Sequence, residues 1–216
     1  MKYLIFTFIA LIADTNIFLD SSLELKKRDI SSWIELKNRN LIRQRYDYSC
    51  GSASLATILK YFYNQNIDER DILKDILNQK RDKKSYRYVG LSFLDLENFV
   101  KRVGFKAIGL SLNIDSLKSL KIPVILYIRV RDDSHFTVFK GINDNFVYLA
   151  DPSFGNIKIR LSKFKEMFYL ANGKNRAGRI LAIVPIDKKL KFNKDFFSLE
   201  ENSNLYKNLI FNQTFN

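Results

Sequence analysis

The chain holds a single cysteine, Cys50, a single histidine, His135, and three prolines among 216 residues. One cysteine excludes an intrachain disulfide, and a lone Cys with a lone His leaves no Cys-based zinc site. There is no Walker-type phosphate loop, no other ATPase signature and no internal repeat. No apolar run reaches the ~20 residues of a membrane-spanning helix. Dense basic clusters are also missing. The formal net charge is +13, but the 36 Lys and Arg residues are spread along the whole chain. That pattern describes solvated basic faces rather than a nucleic-acid-binding tail, so no nucleic-acid partner is expected. A bias toward anionic surfaces or polymers is compatible with it. Nothing in the sequence calls for a cofactor or a metal.

What is present suits one folded domain. Hydrophobic residues make up 46% and aromatics 14%, enough for a real core. Residues 1–13, MKYLIFTFIALIA, place Lys2 ahead of an apolar run that ends at Asp14. This is the layout of a secretory signal peptide, assigned here to residues 1–20 as a cleaved signal or a retained anchor. The alternative is an apolar first strand of the folded domain. Trp33, Ile34 and Leu36 suggest a short packed helix or arm.

Helices are expected first. Leu55, Ile58, Leu59 and Phe62 recur at helical spacing after Cys50, and Ile72, Leu73, Ile76 and Leu77 do so within Asp68–Lys80, with Asp68 as N-cap. Ser92 with Asp95 three residues later opens a third helix, which Gly104 stops. From Phe105 the pattern turns to strands: Phe105–Leu112, Pro123–Val130, His135–Ile142, Phe146–Asp151, Ile157–Arg160 and Arg179–Pro185. Asn143, Asp144 and Asn145 form a hairpin turn between the third and fourth. A short helix covers Ser162–Leu170. Helices followed by a mostly antiparallel sheet predict an α+β fold. Residues 187–216, rich in Lys, Asn and Phe, are expected as an ill-ordered or surface-wrapping tail.

Cys50 lies where a polar, aromatic loop gives way to a helix. The unpaired backbone N–H groups and the dipole of a helix N-terminus favour an anion, which a thiolate is. Gly51 permits close backbone approach by a substrate. The Cys50 N–H can serve as one oxyanion donor. A thiol nucleophile needs a base, and His135 is the one imidazole in the chain. The base needs a partner that fixes its tautomer. Asp151 ends the strand after the one that His135 opens, so a hairpin alone can set the two side by side. Each residue singly has a bland reading: a lone Cys as a small buried hydrophobe, a lone His as a structural group, Asp-Pro as a turn. Their joint layout favours chemistry.

The ordered set Gln44, Cys50-Gly51 with Ala53 and Leu55, His135-Phe136 with Val138, Gly141-Ile142, and Ala150-Asp151-Pro152 with Gly155 resembles the bacteriocin-processing peptidases. These are papain-like cysteine peptidases that cut double-glycine leader peptides, usually as the N-terminal domain of an ABC transporter. The resemblance covers roughly residues 40–186 and implies a papain-like fold, with the peptidase domain at 21–186. It also implies Cys50 as nucleophile, His135 as general base and acid, Asp151 as the residue orienting His135, and Gln44 as a side-chain oxyanion donor. Transporter members usually carry Asp before the nucleophile, where this chain has Ser49. The chain shows no membrane spans or ATPase, so it resembles a stand-alone, exported branch. That implies a peptide or protein substrate, a secretion-system or membrane-envelope partner, and a location in the bacterial periplasm or cell envelope. Two other functions fit the same residues: hydrolysis or acyl transfer on cell-wall peptides, and catalytically silent peptide binding that assists secretion.

Overall fold

Six strands form one sheet in the computed structural model, which describes residues 32–80, 90–131, 133–169 and 176–198. They are β1 (Phe105–Leu112), β2 (Val124–Val130), β3 (Asp133–Ile142), β4 (Phe146–Asp151), β5 (Gly155–Arg160) and β6 (Gly178–Pro185), in the order β1-β6-β2-β3-β4-β5. All the pairings are antiparallel. The proposed signal segment, residues 1–20, and the chain beyond residue 198 lie outside the described residues.

The inner strands read as nearly continuous apolar runs because both faces of the sheet are covered there, whereas the edge strand β1 is largely exposed. Side chains alternate between faces. Ile125, Val138, Ala150, Leu181 and Ile183 join one buried cluster, and Leu126, Phe139, Leu149, Ile180 and Ala182 join the other. The first cluster includes residues of α2 (Cys50–Thr57), α3 (Glu69–Asn78) and α4 (Phe93–Arg102). The second is capped by α5 (Ile114–Lys118), a short helix with no clear sequence signature, and by α6 (Leu161–Phe168). The helix starts follow local chemistry. Asp68 with Asp71, and Ser92 with Asp95, form capping boxes, and Gly104 follows α4 at φ +85°. Asn143 Oδ1 accepts from the N–H groups of Asn145 and Phe146 and closes the β3–β4 turn.

Three details depart from the sequence reading. The helix α1 (Trp33–Asn38) forms, but buries none of its residues. Trp33 and Ile34 are 44% and 65% exposed. The helix is held through its backbone instead: Asn156 Nδ2 donates to the carbonyls of Leu36 and Arg39. Gly155, at φ +89°, lets α1 come this close, since a Cβ there would sit 2.7 Å from the Lys37 carbonyl oxygen. Second, α2 runs on as a π-helical turn, Ile58–Phe62, in which the Tyr63 N–H reaches Ile58 O. Third, residues 187–198 wrap the domain and enter its core. Phe196, on a 3₁₀ turn (Lys194–Phe197), is 1% exposed. The Asn193 N–H donates to Phe62 O at 2.7 Å. Aromatic residues spaced without periodicity hid this anchoring from the sequence.

Candidate active site

Helix α2 fixes the nucleophile side of the site. Gly51 through Thr57 are all buried, and most are small, so the helix enters the domain interior end-on. Cys50 is its first residue and stays partly exposed. Ser49, at the N-cap, makes no side-chain capping bond. The first-turn N–H groups therefore receive no capping bond from the Ser49 side chain. Gly51 has a structural reason not foreseen in the sequence: a Cβ would stand 3.1 Å from the Phe136 ring of β3. The close approach there belongs to a strand as well as to any substrate.

The sheet fixes the other half. β3 and β4 pair with Val138 opposite Ala150. Continuing that register sets Asp151 opposite Thr137, two residues from His135 and on the same face. His135 Nε2 and Asp151 Oδ2 are 2.9 Å apart. The other oxygen, Oδ1, accepts the backbone N–H groups of Ser153 and Phe154 at 2.9 and 3.0 Å. Both carboxylate oxygens are thereby fixed, and the imidazole is left with Nδ1 for the Cys50 side chain, with which it interacts.

His135 is only 11% exposed and Asp151 1%. Burial is the largest single influence on the imidazole and pulls its pKa down. The Asp151 carboxylate and the Cys50 side chain outweigh it together and push the pKa up to about 10. The imidazolium form therefore persists at neutral pH, held between two negative groups.

Gln44 sits on the same groove, a cleft of about 1110 Å³ lined also by Cys50, Phe93, Tyr127, His135 and Phe154. Its Oε1 accepts from Ser153 Oγ at 2.7 Å, and its backbone N–H donates to Pro152 O at 3.0 Å. The side-chain amide donates to Tyr46 O at 3.1 Å. It also reaches Asp47 O at 3.5 Å, a long contact, so the amide is held on loop carbonyls and the Asp47 contact is the one most easily exchanged for another acceptor. Of the four residues singled out in the sequence, Gln44, Cys50 and His135 line this groove, and Asp151 is buried behind it in contact with His135. Sequence reasoning missed Ser153, whose backbone holds Asp151 and whose hydroxyl holds Gln44. It also missed Glu69, buried behind the loop that leads to Cys50. A serine after Asp-Pro and a glutamate in a charged first helical turn carry no signal of such roles. Among the described residues, no group of three or more His, Cys, Asp or Glu could hold a metal ion.

The sequence profile of the Peptidase C39 family matches residues 38–171. Two curated relatives are each described as a probable functional amyloid protease FapD. The one from Pseudomonas fluorescens is 31% identical over 174 residues, covering 77% of this chain and 76% of its own length. The one from Pseudomonas aeruginosa is 33% identical over 139 residues, covering 64% and 61%. Among solved structures, a double-glycine-motif protease from an AMS/PCAT transporter, in complex with the leader peptide, superposes with a TM-score of 0.53 at 27% identity, covering 67% of this chain and 90% of that one. The peptidase domain of Streptococcus ComA gives a TM-score of 0.53 at 19% identity over 67% of this chain and 97% of that one, which is a likeness of fold alone. The α+β arrangement is the papain-like one these domains share.

Proposed function

The chain belongs to the Peptidase C39 family and is a cysteine peptidase acting on peptide substrates, and from that premise we propose that Cys50, His135 and Asp151 are its catalytic triad and Gln44 its side-chain oxyanion donor. The observation that carries this is the 2.9 Å contact of His135 Nε2 with Asp151, which leaves Nδ1 facing a cysteine at a helix start. The Cys50 thiolate attacks the scissile carbonyl carbon, and the carbonyl π pair moves to oxygen. The Cys50 N–H and the Gln44 side-chain amide, which gives up its long contact to Asp47 O, receive that oxyanion. Collapse breaks the C–N bond, and His135 Nδ1–H gives its proton to the leaving amine. The thioester that remains is hydrolysed by water, from which His135 takes a proton; the acid departs and the thiolate with its imidazolium is restored. Asp151 holds the imidazole so that Nδ1 does both transfers.

The substrate is an exported peptide or protein, and the chain works in the bacterial periplasm or cell envelope, delivered or anchored by its first 20 residues beside a secretion partner. The apolar run behind Lys2 supports this. Peptide turnover is tested with internally quenched peptides, a double-glycine sequence among them, on wild type and Cys50→Ala. Cleavage should fall at least ~10³-fold in the variant. Equal cleavage by both would overturn the mechanism. Export is tested by fractionating cells that make the full chain or one lacking residues 1–13. Finding both in the cytosol would overturn that part.

A further inference from the structure

Glu69 is the first residue of α3, a place where a glutamate ordinarily reaches water. Here it is 1% exposed. Its own helix does not need it, because Asp68 and Asp71 already form the capping box. Its carboxyl group points the other way, into the loop that precedes the nucleophile. Oε1 accepts the Arg45 backbone N–H at 3.0 Å and lies 2.6 Å from Ser49 Oγ. Ser49 Oγ in turn accepts the Tyr46 N–H at 3.1 Å. The second oxygen, Oε2, is buried with no hydrogen bond and pairs at longer range with the half-exposed Arg45 side chain, Nε at 3.6 Å. Burying a carboxyl group with one oxygen unsatisfied is costly. An interior chosen for stability alone would carry an apolar side chain at this place.

Resting on the peptidase reading above, we propose that Glu69 is a positioning residue for the oxyanion hole, acting through Ser49 and the Arg45 backbone. The loop 44–49 carries one proposed oxyanion donor at its start, the Gln44 amide, and runs directly into the other, the Cys50 N–H. Its first residue is tied to the turn after Asp151 by the Pro152 carbonyl and the Ser153 hydroxyl. Its second and last residues are tied to Glu69. The Gln44 amide reaches back to Tyr46 O inside the same loop. Glu69 therefore sets the spacing between the two donors without touching substrate, while His135 and Asp151 are held from the sheet and do not depend on it.

That division gives the test its discriminating readout. Hydrolysis passes through an oxyanion; alkylation of a thiolate by iodoacetamide does not. In Glu69→Ala, kcat for a quenched peptide should drop about 100-fold, the usual consequence of a displaced or lost donor, with KM within about threefold. The alkylation rate of Cys50 should stay at the wild-type value. Ser49→Ala should lower kcat in the same sense, and the double variant should lose little more than Glu69→Ala, because the two residues form one relay. Glu69→Gln retains an acceptor oxygen and should recover most of the turnover. The proposal is overturned if Glu69→Ala turns over within twofold of wild type, or if hydrolysis and alkylation fall together, which is the mark of general structural damage. Should Glu69→Ala not fold, Ser49→Ala, which removes only a hydroxyl, decides by the same comparison. A wild type whose hydrolysis is independent of Cys50 would reject the peptidase reading and this proposal with it. Thiol-dependent hydrolysis insensitive to Ser49→Ala and Glu69→Ala would reject this proposal alone.

Discussion

Replacing Asp151 by asparagine keeps the shape of the side chain and removes its charge. The Ser153 and Phe154 N–H groups both require an acceptor at Oδ1, so the new NH₂ must take the position facing His135 Nε2. There it can only donate, which turns Nε2 into an acceptor and moves the ring proton to Nδ1, the wrong tautomer for a base that must take a proton there. The imidazole also loses one of the two negative neighbours that raise its pKa against burial. A rise from 6.5 to about 10 is worth roughly 5 kcal/mol at ~1.36 kcal/mol per unit. Without the Asp151 charge the burial penalty remains in full, so the imidazole of the variant titrates well below that of the wild type. The chain has one histidine, so its imidazole resonances titrate without overlap in an NMR experiment. Wild-type His135 should titrate near 10, Asp151→Asn well below it, and kcat should fall about 10⁴-fold. A variant whose imidazole titrates with the wild type, or a wild type that titrates at an ordinary 6.5, would refute the electrostatic account of the site.

Two further outcomes follow from the buried charges and the C-terminal turn. His135 binds its proton more tightly folded than unfolded, so its stabilisation is complete below about 6.5 and is lost as pH rises toward about 10. Lys140, buried in β3 with its amine over the Phe196 ring, is pulled from 10.5 down to about 7 by burial; there the unfolded chain holds the extra proton, and stability rises with pH across that interval. The two slopes oppose each other, so calorimetric Tm between pH 7 and 9.5 should be nearly level in wild type, fall with pH in Lys140→Met and rise in His135→Gln; parallel profiles in all three would sink the argument. Phe196→Ala should cost about 3–5 kcal/mol, read as a lower denaturant midpoint with peptide turnover per folded molecule retained; a change within 1 kcal/mol would mean that the segment after β6 is not part of the core.

Much of this arrangement is legible in the residues because it rests on local chemistry. The capping boxes at Asp68 and Ser92, the Asn143 turn and the apolar strand runs each depend on neighbours a few positions away. The pairing of His135 with Asp151 is one step longer and still follows from a hairpin register. What escaped the sequence depends on distant partners. Trp33 looks like a core residue, yet α1 is anchored by Asn156 through its backbone, and side-chain hydropathy does not report a backbone contact. The role of Gly51 depends on Phe136, 85 residues away. Glu69 and Ser153 look like ordinary surface polar residues until the fold brings them behind the loop 44–49. The π-helical turn after α2 leaves no mark in periodicity, since Ile58, Leu59 and Phe62 are buried either way.

Helix α2 is walled in from Gly51 to Thr57, whereas β3 begins with two exposed residues, Asp133 and Ser134, just ahead of His135. The two halves of the site therefore differ in how much of the domain must come apart to release them. Freeing the thiol requires opening the interior, whereas freeing the imidazole requires parting the start of β3 from Asp151. The base is thus the half of the site nearer to an exposed strand end, and the nucleophile the half set within the core.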